Sequence, residues 1–403
     1  MTKSNVLEKI FSIEKVLSTN WKSNENFSLF TGIGGLPLFY VMLFKLTKEK
    51  KYLRKNQEIV EELFERLNNE NYNMTYTSGI TGLAYLFHFL NDKGFLEEDI
   101  SETLYFLDDV ILKFTKKQLK SYADIDFLHG GLGAANYLLL RTNFNSAIES
   151  ETIVIFEKIA RLVEEDISKT MLVKNVSTYD EDSHRTNCGL AHGHISNIII
   201  FSKFLSKYKD NTLIKRILEK SVECVLSFKS VDDTTLAAFP SIAVSKTTAS
   251  YRIPLGWCYG DQTISLGLYR AAKVLSSENL YREALSNARR TLRRDDFIKA
   301  FMSPLSDAGF CHGASSLAYL HKKWFEITKE KEFDVLYEKF IQEIMQKGND
   351  NLGLAGYRKF IGHNDYENSI GLLDGVIGIG IVLIDYILED ENSLSWDEFF
   401  LLN

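Results

Sequence analysis

The chain has 403 residues, of which 45% are hydrophobic and 25% are charged, and only four are proline. This composition is ordinary for a globular protein and favours long helices, because helix interiors exclude proline. The formal net charge of −7, from 47 basic and 54 acidic side chains, argues against the basic surface that nucleic acids and anionic membranes require.

The N-terminal segment predicts an amphipathic helix rather than a signal peptide. Charged residues such as Lys3, Glu8 and Lys9 interrupt its apolar positions, so it lacks the continuous apolar core of a secretion signal. The longest apolar run, residues 375–384, is about half the ~20 residues that a membrane span needs. We therefore expect no transmembrane segment.

Cysteine usage indicates a reducing compartment. A chain of this size without a secretion signal more often uses thiols for metals or chemistry than for disulfides. We therefore expect a cytoplasmic protein that reaches a membrane only through partners. The four cysteines are Cys188, Cys224, Cys258 and Cys311.

One pattern recurs seven times along the chain: a glycine, two further residues, a small residue, and then a helix-like apolar run. The first glycines are Gly32, Gly79, Gly130, Gly193, Gly260, Gly313 and Gly375. The small residues three positions on are Gly35, Gly82, Gly133, Ser196, Thr263, Ser316 and Gly378. This regularity predicts seven copies of one structural unit.

Each copy predicts two helices. Apolar residues after the glycines follow helical spacing, as at Leu83, Leu86 and Leu90, which predicts a helix buried on most faces. The segments between the glycine pairs have an apolar stripe, as at Leu63 and Leu67, and a charged opposite face. They predict outer helices with one face in water.

Repeats of one inner and one outer helix close naturally into a double ring. We therefore predict an all-α protein, an α/α toroid of seven repeats, as a single domain over residues 1–403. The glycines permit positive φ or close backbone approach where the chain enters an inner helix. The longest irregular stretches, residues 180–187 and 230–254, are predicted to be loops over one mouth of the ring. No alternation of apolar and polar residues predicts a strand.

Cysteine and histidine are concentrated directly before the repeat glycines. Cys258 and Cys311 lie two positions before a first glycine, and His129, His192 and His312 lie one position before. In superposed repeats, these positions fall on the loops that enter the inner helices at one end of the ring. We therefore expect their side chains to converge.

Cys258, Cys311 and His312 provide two thiolates and one imidazole, a donor set that suits tetrahedral zinc. Three protein ligands leave the fourth position open, as in catalytic zinc sites. The alternative is that both cysteines are small buried hydrophobes. Their joint placement at one repeat position beside a histidine favours the metal site. Cys188 and Cys224 do not lie at that position and are predicted to be structural.

The motifs Trp257-Cys258-Tyr259-Gly260 and Cys311-His312-Gly313, in register with seven glycine-headed helices, resemble the lanthionine synthetase C-like family over essentially the whole chain. The resemblance implies an α/α toroid with zinc held by the two cysteines and the histidine. It implies Michael addition of peptide cysteine thiols to dehydroalanine or dehydrobutyrine, which forms thioether rings in lantibiotic precursors. It also implies a dehydrated precursor peptide as substrate, with a dehydratase and an exporter as partners.

The resemblance also implies catalytic residues. The family's catalytic His-Gly matches His192-Gly193, its aspartate before a repeat glycine matches Asp126, and its tyrosine after the first zinc cysteine matches Tyr259. We expect His192 to be the general acid for the enolate left by thiol attack, Asp126 to orient it or exchange protons with it, and Tyr259 to donate a hydrogen bond nearby.

Three positions depart from the family pattern. The pattern has an arginine four residues before its first zinc cysteine, whereas this chain has Pro254 there and its nearest arginine is Arg252. His129 and His194 stand where the pattern carries other residue types, so the resemblance assigns them no role.

Other functions remain open on the sequence alone. A non-catalytic member of the family would hold zinc to bind a thiol peptide or glutathione; the missing arginine favours this alternative, whereas His192 and Asp126 favour an enzyme. Zinc-dependent S-alkylation, as in protein prenyltransferases, fits less well because that zinc set includes an aspartate. A glycosidase would need paired carboxylates, for which Asp126 and Asp374 are the close candidates.

Overall fold

The computed structural model describes residues 2–69, 72–174, 185–232, 234–235, 237–243, 251, 255–294, 306–363, 365–389 and 394–403. Two compact units are distinguished by their internal packing: Met1–Leu104 with Asp296–Asn403, and Tyr105–Asp295. We call them unit 1 and unit 2. The single domain over residues 1–403 stays a prediction.

Helices dominate the described part of the chain. Its α-helices are α1 (Lys3–Asn20), α2 (Leu36–Thr47), α3 (Lys51–Asn69), α4 (Ile80–Asp92), α5 (Ser101–Gln118), α6 (Gly131–Arg141), α7 (Glu149–Lys174), α8 (His194–Lys207), α9 (Thr212–Ser227), α10 (Asp261–Leu275), α11 (Glu278–Thr291), α12 (Ala314–Thr328), α13 (Lys331–Lys347) and α14 (Val376–Leu388). Short 3₁₀ helices cover Trp21–Ser23, Ile33–Gly35, Tyr122–Ile125, Ser146–Ile148 and Trp396–Phe400. No described helix is both long enough and apolar enough to cross a bilayer.

Each predicted inner helix follows its repeat glycine. All seven first glycines occupy the N-cap position of a helix. The helices that follow are buried along most of their length, as in α4 and α14. In unit 1, α2 packs against α3 and α12 against α13; in unit 2, α10 packs against α11. These pairs are the predicted combination of a buried and an amphipathic helix.

Close backbone approach explains most of these glycines. A Cβ at Gly79 would lie 2.2 Å from the carbonyl oxygen of Asn73, and one at Gly82 would lie 2.0 Å from that of Tyr76. No real Cβ tolerates such distances, so only glycine fits. Gly260 is different, because its φ of +134° lies in the region that favours glycine.

A polar side chain six positions before the glycine closes five of the turns. Its oxygen accepts a hydrogen bond from the backbone N–H two residues on, at 2.8 to 3.3 Å. Such side-chain turns are typical of Asn, Asp and Ser. The sequence prediction did not use this position. The five residues are Asn26, Asn73, Asn187, Asp307 and Ser369.

Two short antiparallel ribbons depart from the prediction of no strands. β1 (Thr186–Asn187) pairs with β2 (Ile242–Ala243), and β3 (Lys359–Gly362) pairs with β4 (Asp365–Glu367). Two to four residues are too few for an alternating pattern to show in a sequence. Within the predicted loops at residues 180–187 and 230–254, the structure describes residues 185–187, 230–232, 234–235, 237–243 and 251, which include β1 and β2.

Unit 2 contains a buried ion pair. Asp108, which is fully buried, accepts hydrogen bonds from Arg141 Nε at 2.9 Å, Tyr137 Oη at 2.7 Å and Asn145 Nδ2 at 2.9 Å. Three donors satisfy one carboxylate, so the charge of Arg141 is compensated where water does not reach it. The pair joins α5 to α6 and to the turn that follows α6.

We expect Asp108→Ala to destabilise the protein by about 3–5 kcal/mol, because it leaves the Arg141 charge buried without its carboxylate. Denaturant unfolding of the full chain measures this change. Asp109→Ala is the matched control, because Asp109 pairs with Lys113 at the surface and its loss changes stability little. Equal stability of the two variants would contradict the expectation.

Candidate functional site

A histidine–aspartate pair lies at the fourth repeat turn, in unit 2. His192 Nδ1 lies 2.7 Å from Asp126 Oδ2, with 35% of the histidine side chain and 22% of the aspartate side chain exposed. The other carboxylate oxygen, Oδ1, accepts the backbone N–H of His129 at 2.7 Å. Two of the residues predicted to be catalytic are therefore in direct contact, and solvent reaches both.

The two partners shift each other's pKa in opposite directions. The hydrogen bond to Asp126 raises the pKa of His192 above its ordinary value of 6.5; burial opposes this shift, and the nearby charges of Asp126 and Cys258 add to it. Burial alone would raise the pKa of Asp126, but the hydrogen bond and charge of His192 outweigh it and lower that pKa below 3.8. Both directions favour an imidazolium–carboxylate pair.

The loop of Cys258 and Tyr259 contacts the His192 loop within the same unit. The Cys258 carbonyl accepts the backbone N–H of Leu190 at 2.9 Å. Tyr259 Oη accepts a hydrogen bond from Asn187 Nδ2 at 3.0 Å. A Cβ at Gly189 would lie 2.4 Å from the Tyr259 ring, so the ring can pack there only because position 189 is glycine. The structure therefore brings Tyr259 to the turn that carries His192.

Asp261 was missed by the sequence analysis. It directly follows Gly260, is fully buried, and accepts the backbone N–H groups of Ala238 at 2.8 Å and Phe239 at 3.1 Å. Burial raises its pKa. It therefore anchors the segment before β2, whose partner β1 ends at Asn187. The available signal was an acidic residue at the first position of a helix.

A cleft of about 210 Å³ adjoins the His192–Asp126 pair, and Tyr122 and Asn197 also line it. His194 stacks on the Tyr122 ring at a centroid distance of 5.6 Å, and its Nε2 lies 3.1 Å from the buried Asp166 carboxylate. His194 therefore lies in the packing behind the cleft wall.

His129 stands on the exposed side of the pair. Its ring stacks on His192, with centroids 5.5 Å apart and planes inclined by 10°. It therefore covers one face of the His192 ring.

In unit 1, the sixth turn positions Cys311 and His312. The Leu373 carbonyl accepts the backbone N–H of Cys311 at 2.9 Å. His312 Nε2 lies 3.9 Å from the buried Asp307 carboxylate, whose pKa is raised by burial although the charge of His312 opposes the shift. A carboxylate beside an imidazole is the arrangement that orients metal-binding histidines.

Cys258, Cys311 and His312 are the three residues of the predicted donor group. Two thiols and one imidazole are donors that zinc prefers, so their chemistry fits the ion that the sequence analysis predicted. This group can hold a metal ion.

The profile of the lanthionine synthetase C-like protein family matches residues 23–401. The chain belongs to this family. Among solved structures, nisin cyclase is similar with a TM-score of 0.73 and 19% sequence identity, over 99% of this chain and 97% of that chain. This likeness shows the fold, so the predicted α/α toroid and the family resemblance are both confirmed. No curated protein is detectably similar in sequence.

Two further solved structures are much less similar. A polysaccharide lyase has a TM-score of 0.40 and 13% identity, over 95% of this chain and 96% of that chain. A glycosyl hydrolase family 88 protein from Bacteroides vulgatus has a TM-score of 0.37 and 10% identity, over 95% and 97%. Scores this low carry no functional argument. Arg252 and Pro254, where the family pattern was in doubt, lie outside the described residues.

We expect Asp126→Asn to lower the pKa of His192, because the amide removes the negative charge that favours the imidazolium. The histidine ring protons, followed by NMR over pH 4–9 in metal-free protein and assigned with His192→Gln, report this pKa. Asp124→Asn is the matched control, because Asp124 accepts local hydrogen bonds from the backbone of Lys120 and from the backbone and hydroxyl of Ser121. An unchanged His192 pKa in the Asp126 variant would refute the coupling.

The same pair makes stability depend on pH in a defined window. A raised histidine pKa stabilises the fold fully below the unfolded value of 6.5, and the effect is lost as pH rises through the folded pKa. A lowered aspartate pKa stabilises above 3.8, and that effect is lost as pH falls through the folded pKa. The stability difference between wild type and Asp126→Asn is therefore expected to be largest between pH 3.8 and 6.5.

Proposed function

We propose that the chain is a zinc-dependent lanthionine synthetase. It adds peptide cysteine thiols to dehydroalanine or dehydrobutyrine by Michael addition and forms thioether rings in a dehydrated precursor peptide. The observation that carries the proposal is the 2.7 Å contact between His192 and Asp126, on a turn hydrogen-bonded to the Cys258 loop. Membership of the family supports a peptide substrate.

Cys258, Cys311 and His312 would hold the zinc ion. When bound, zinc supplies a positive charge that favours the thiolate form of a substrate thiol and fixes its position. A free thiol with a pKa of ~8.5 is about 3% ionised at pH 7, so ionisation is worth at most about 2 kcal/mol. Placing the thiol against the alkene can supply ~7–11 kcal/mol. Positioning is therefore the larger contribution of the site.

His192 completes the addition. The sulfur bonds to the β-carbon of the dehydrated residue, and the alkene electron pair becomes an enolate. Protonated His192 then gives a proton to the α-carbon, while Asp126 keeps the ring oriented through Nδ1 and stabilises its charge. The thiol has lost one proton and the α-carbon has gained one, so the reaction adds S–H across the double bond. Tyr259 donates a hydrogen bond to the enolate oxygen.

The proposed reaction also requires partner proteins. Dehydroalanine and dehydrobutyrine must come from a separate dehydration of serine and threonine, because this site supplies addition but not elimination. We propose a dehydratase and an exporter as partners, and the cytoplasm as the place where they act.

Two variants separate metal binding from proton transfer. Cys311→Ala is expected to lose both zinc and ring formation, because two donors remain. His192→Ala is expected to keep stoichiometric zinc and to close rings ~10²–10⁴-fold more slowly, because general acid catalysis is lost. Elemental analysis measures zinc, and thiol alkylation of a dehydrated, cysteine-bearing peptide measures ring closure.

Cys224→Ala is the control, because it removes a buried thiol that is not part of the donor group and should keep both properties. Stoichiometric zinc in Cys311→Ala would overturn the ligand assignment. A zinc-loaded wild-type chain that leaves every peptide thiol free would favour the non-catalytic binding protein.

A further inference from the structure

Asn197 is a buried asparagine on the wall of the cleft beside the His192–Asp126 pair. It lies in the first turn of α8, and only 1% of the residue is exposed. Its Nδ2 donates to Tyr122 Oη at 3.4 Å, and Tyr122 lines the same cleft. The carboxamide oxygen of Asn197, by contrast, accepts no hydrogen bond from any residue that the structure describes.

This oxygen remains open to solvent. Asn136 is equally buried, and both polar atoms of its carboxamide are shielded from solvent and lack a hydrogen-bond partner. Asn197 Oδ1 is not one of the shielded atoms, although it too has no partner in the described part of the chain. Because Asn197 lines the cleft, the solvent that reaches its oxygen is the water of the cleft.

Other polar side chains on the cleft already have partners. The two oxygens of Asp126 accept from His192 Nδ1 and from the backbone N–H of His129. Ser196 donates its hydroxyl to a backbone carbonyl of its own turn at 2.7 Å. The Asn197 oxygen is therefore an acceptor to which no donor is supplied. A ligand that displaces the water there must bring a donor of its own, because a buried acceptor is costly to leave unpaired.

The charges around the cleft indicate what kind of donor fits. The carboxylate of Asp126 is compensated by the imidazolium of His192, and the carboxamide of Asn197 is neutral, so a cation gains little there. A neutral N–H fits better. A peptide carries such a group at nearly every residue, and its backbone must lie close to this wall if an α-carbon is to reach His192.

We propose that the cleft is a subsite for the backbone of the substrate peptide. Asn197 Oδ1 accepts a peptide N–H close to the dehydrated residue and so holds the α-carbon within reach of His192. Tyr122 is the positioning residue that binds the amide end of Asn197 and leaves the oxygen to the substrate. The inference rests on the proposed function and deepens it, because recognition of backbone rather than side chains lets one site process different peptide sequences.

Asn197→Leu removes the acceptor and keeps the branched shape of the side chain. The lost hydrogen bond serves the bound substrate and the transition state equally, so KM for a dehydrated, cysteine-bearing peptide is expected to rise about 10-fold while kcat and zinc content stay unchanged. Asn136→Leu is the matched control, because it changes an equally buried asparagine that does not line the cleft, and it should keep the wild-type KM. An unchanged KM in Asn197→Leu, or the same rise in both variants, would overturn the contact.

A peptide that binds but cannot cyclise tests the contact without catalysis. In this probe alanine replaces the cysteine, and ester groups replace the peptide groups one at a time, so each ester removes one N–H. Fluorescence anisotropy of the labelled peptide measures Kd. One ester near the dehydroalanine is expected to weaken binding to wild type about 10-fold and to have no effect on Asn197→Leu, because donor and acceptor belong to one bond.

Asn197→Ala takes the place of the leucine variant in this comparison if the leucine variant does not fold. Wild-type binding that no single ester weakens, or an ester effect of the same size in wild type and variant, contradicts the backbone subsite.

The two proposals fail in different ways. A chain that closes rings while its ester effects do not depend on Asn197 overturns the backbone subsite alone. A chain that binds the unreactive peptide through Asn197 yet closes no ring overturns the proposed function and leaves a site of peptide binding. A chain that neither binds the peptide nor closes rings overturns both.

Discussion

Backbone crowding at the entrance to each inner helix is the constraint on which the structure depends. The chain turns so tightly before the helix that its carbonyl oxygens occupy the space of a side chain, as Asn73 does at Gly79. Glycine therefore recurs for a steric reason, and a short polar side chain six positions earlier satisfies the backbone N–H that the turn would leave unpaired. In the five repeats that have both features, the entrance is built in the same way although the residues on it differ.

Backbone hydrogen bonds then link one entrance to another within each unit. The accepting carbonyl belongs to the residue two positions before a repeat glycine. Thr77 accepts from Phe30 at 3.1 Å, Phe30 from Leu373 at 2.9 Å, and Cys258 from Leu190 at 2.9 Å. Cys311 occupies the same position in the sixth repeat. The backbone that carries each thiol is therefore placed by hydrogen bonds to another repeat entrance of the same unit.

The sequence predicts features that recur with the repeat, but it does not predict contacts between residues far apart in the chain. The sequence alone shows seven glycines at similar spacing. It also shows that Cys258, Cys311 and His312 lie one or two positions before such a glycine. The contact of Asn187 with Tyr259 joins residues 72 positions apart, and nothing in a single sequence indicates that pairing. The strands β1 to β4 are too short to have a period. Asp261 is an acidic residue of the kind that commonly begins a helix. Only the structure shows that it is buried and binds the backbone of Ala238 and Phe239 before β2.

The same turn can precede an inner helix with different residues at the two positions before the glycine, which matters for protein engineering. The two positions before the glycine hold Thr77-Ser78 in the second repeat and Cys311-His312 in the sixth. Both turns are nevertheless closed by the same kind of hydrogen bond, from a backbone N–H to a side-chain oxygen, at 3.0 and 2.9 Å. Turns closed in the same way therefore carry different residues at these two positions. Cysteine and histidine at positions 77 and 78 would stand in the second repeat where Cys311 and His312 stand in the sixth, so new side-chain chemistry can be designed on this fold one repeat at a time.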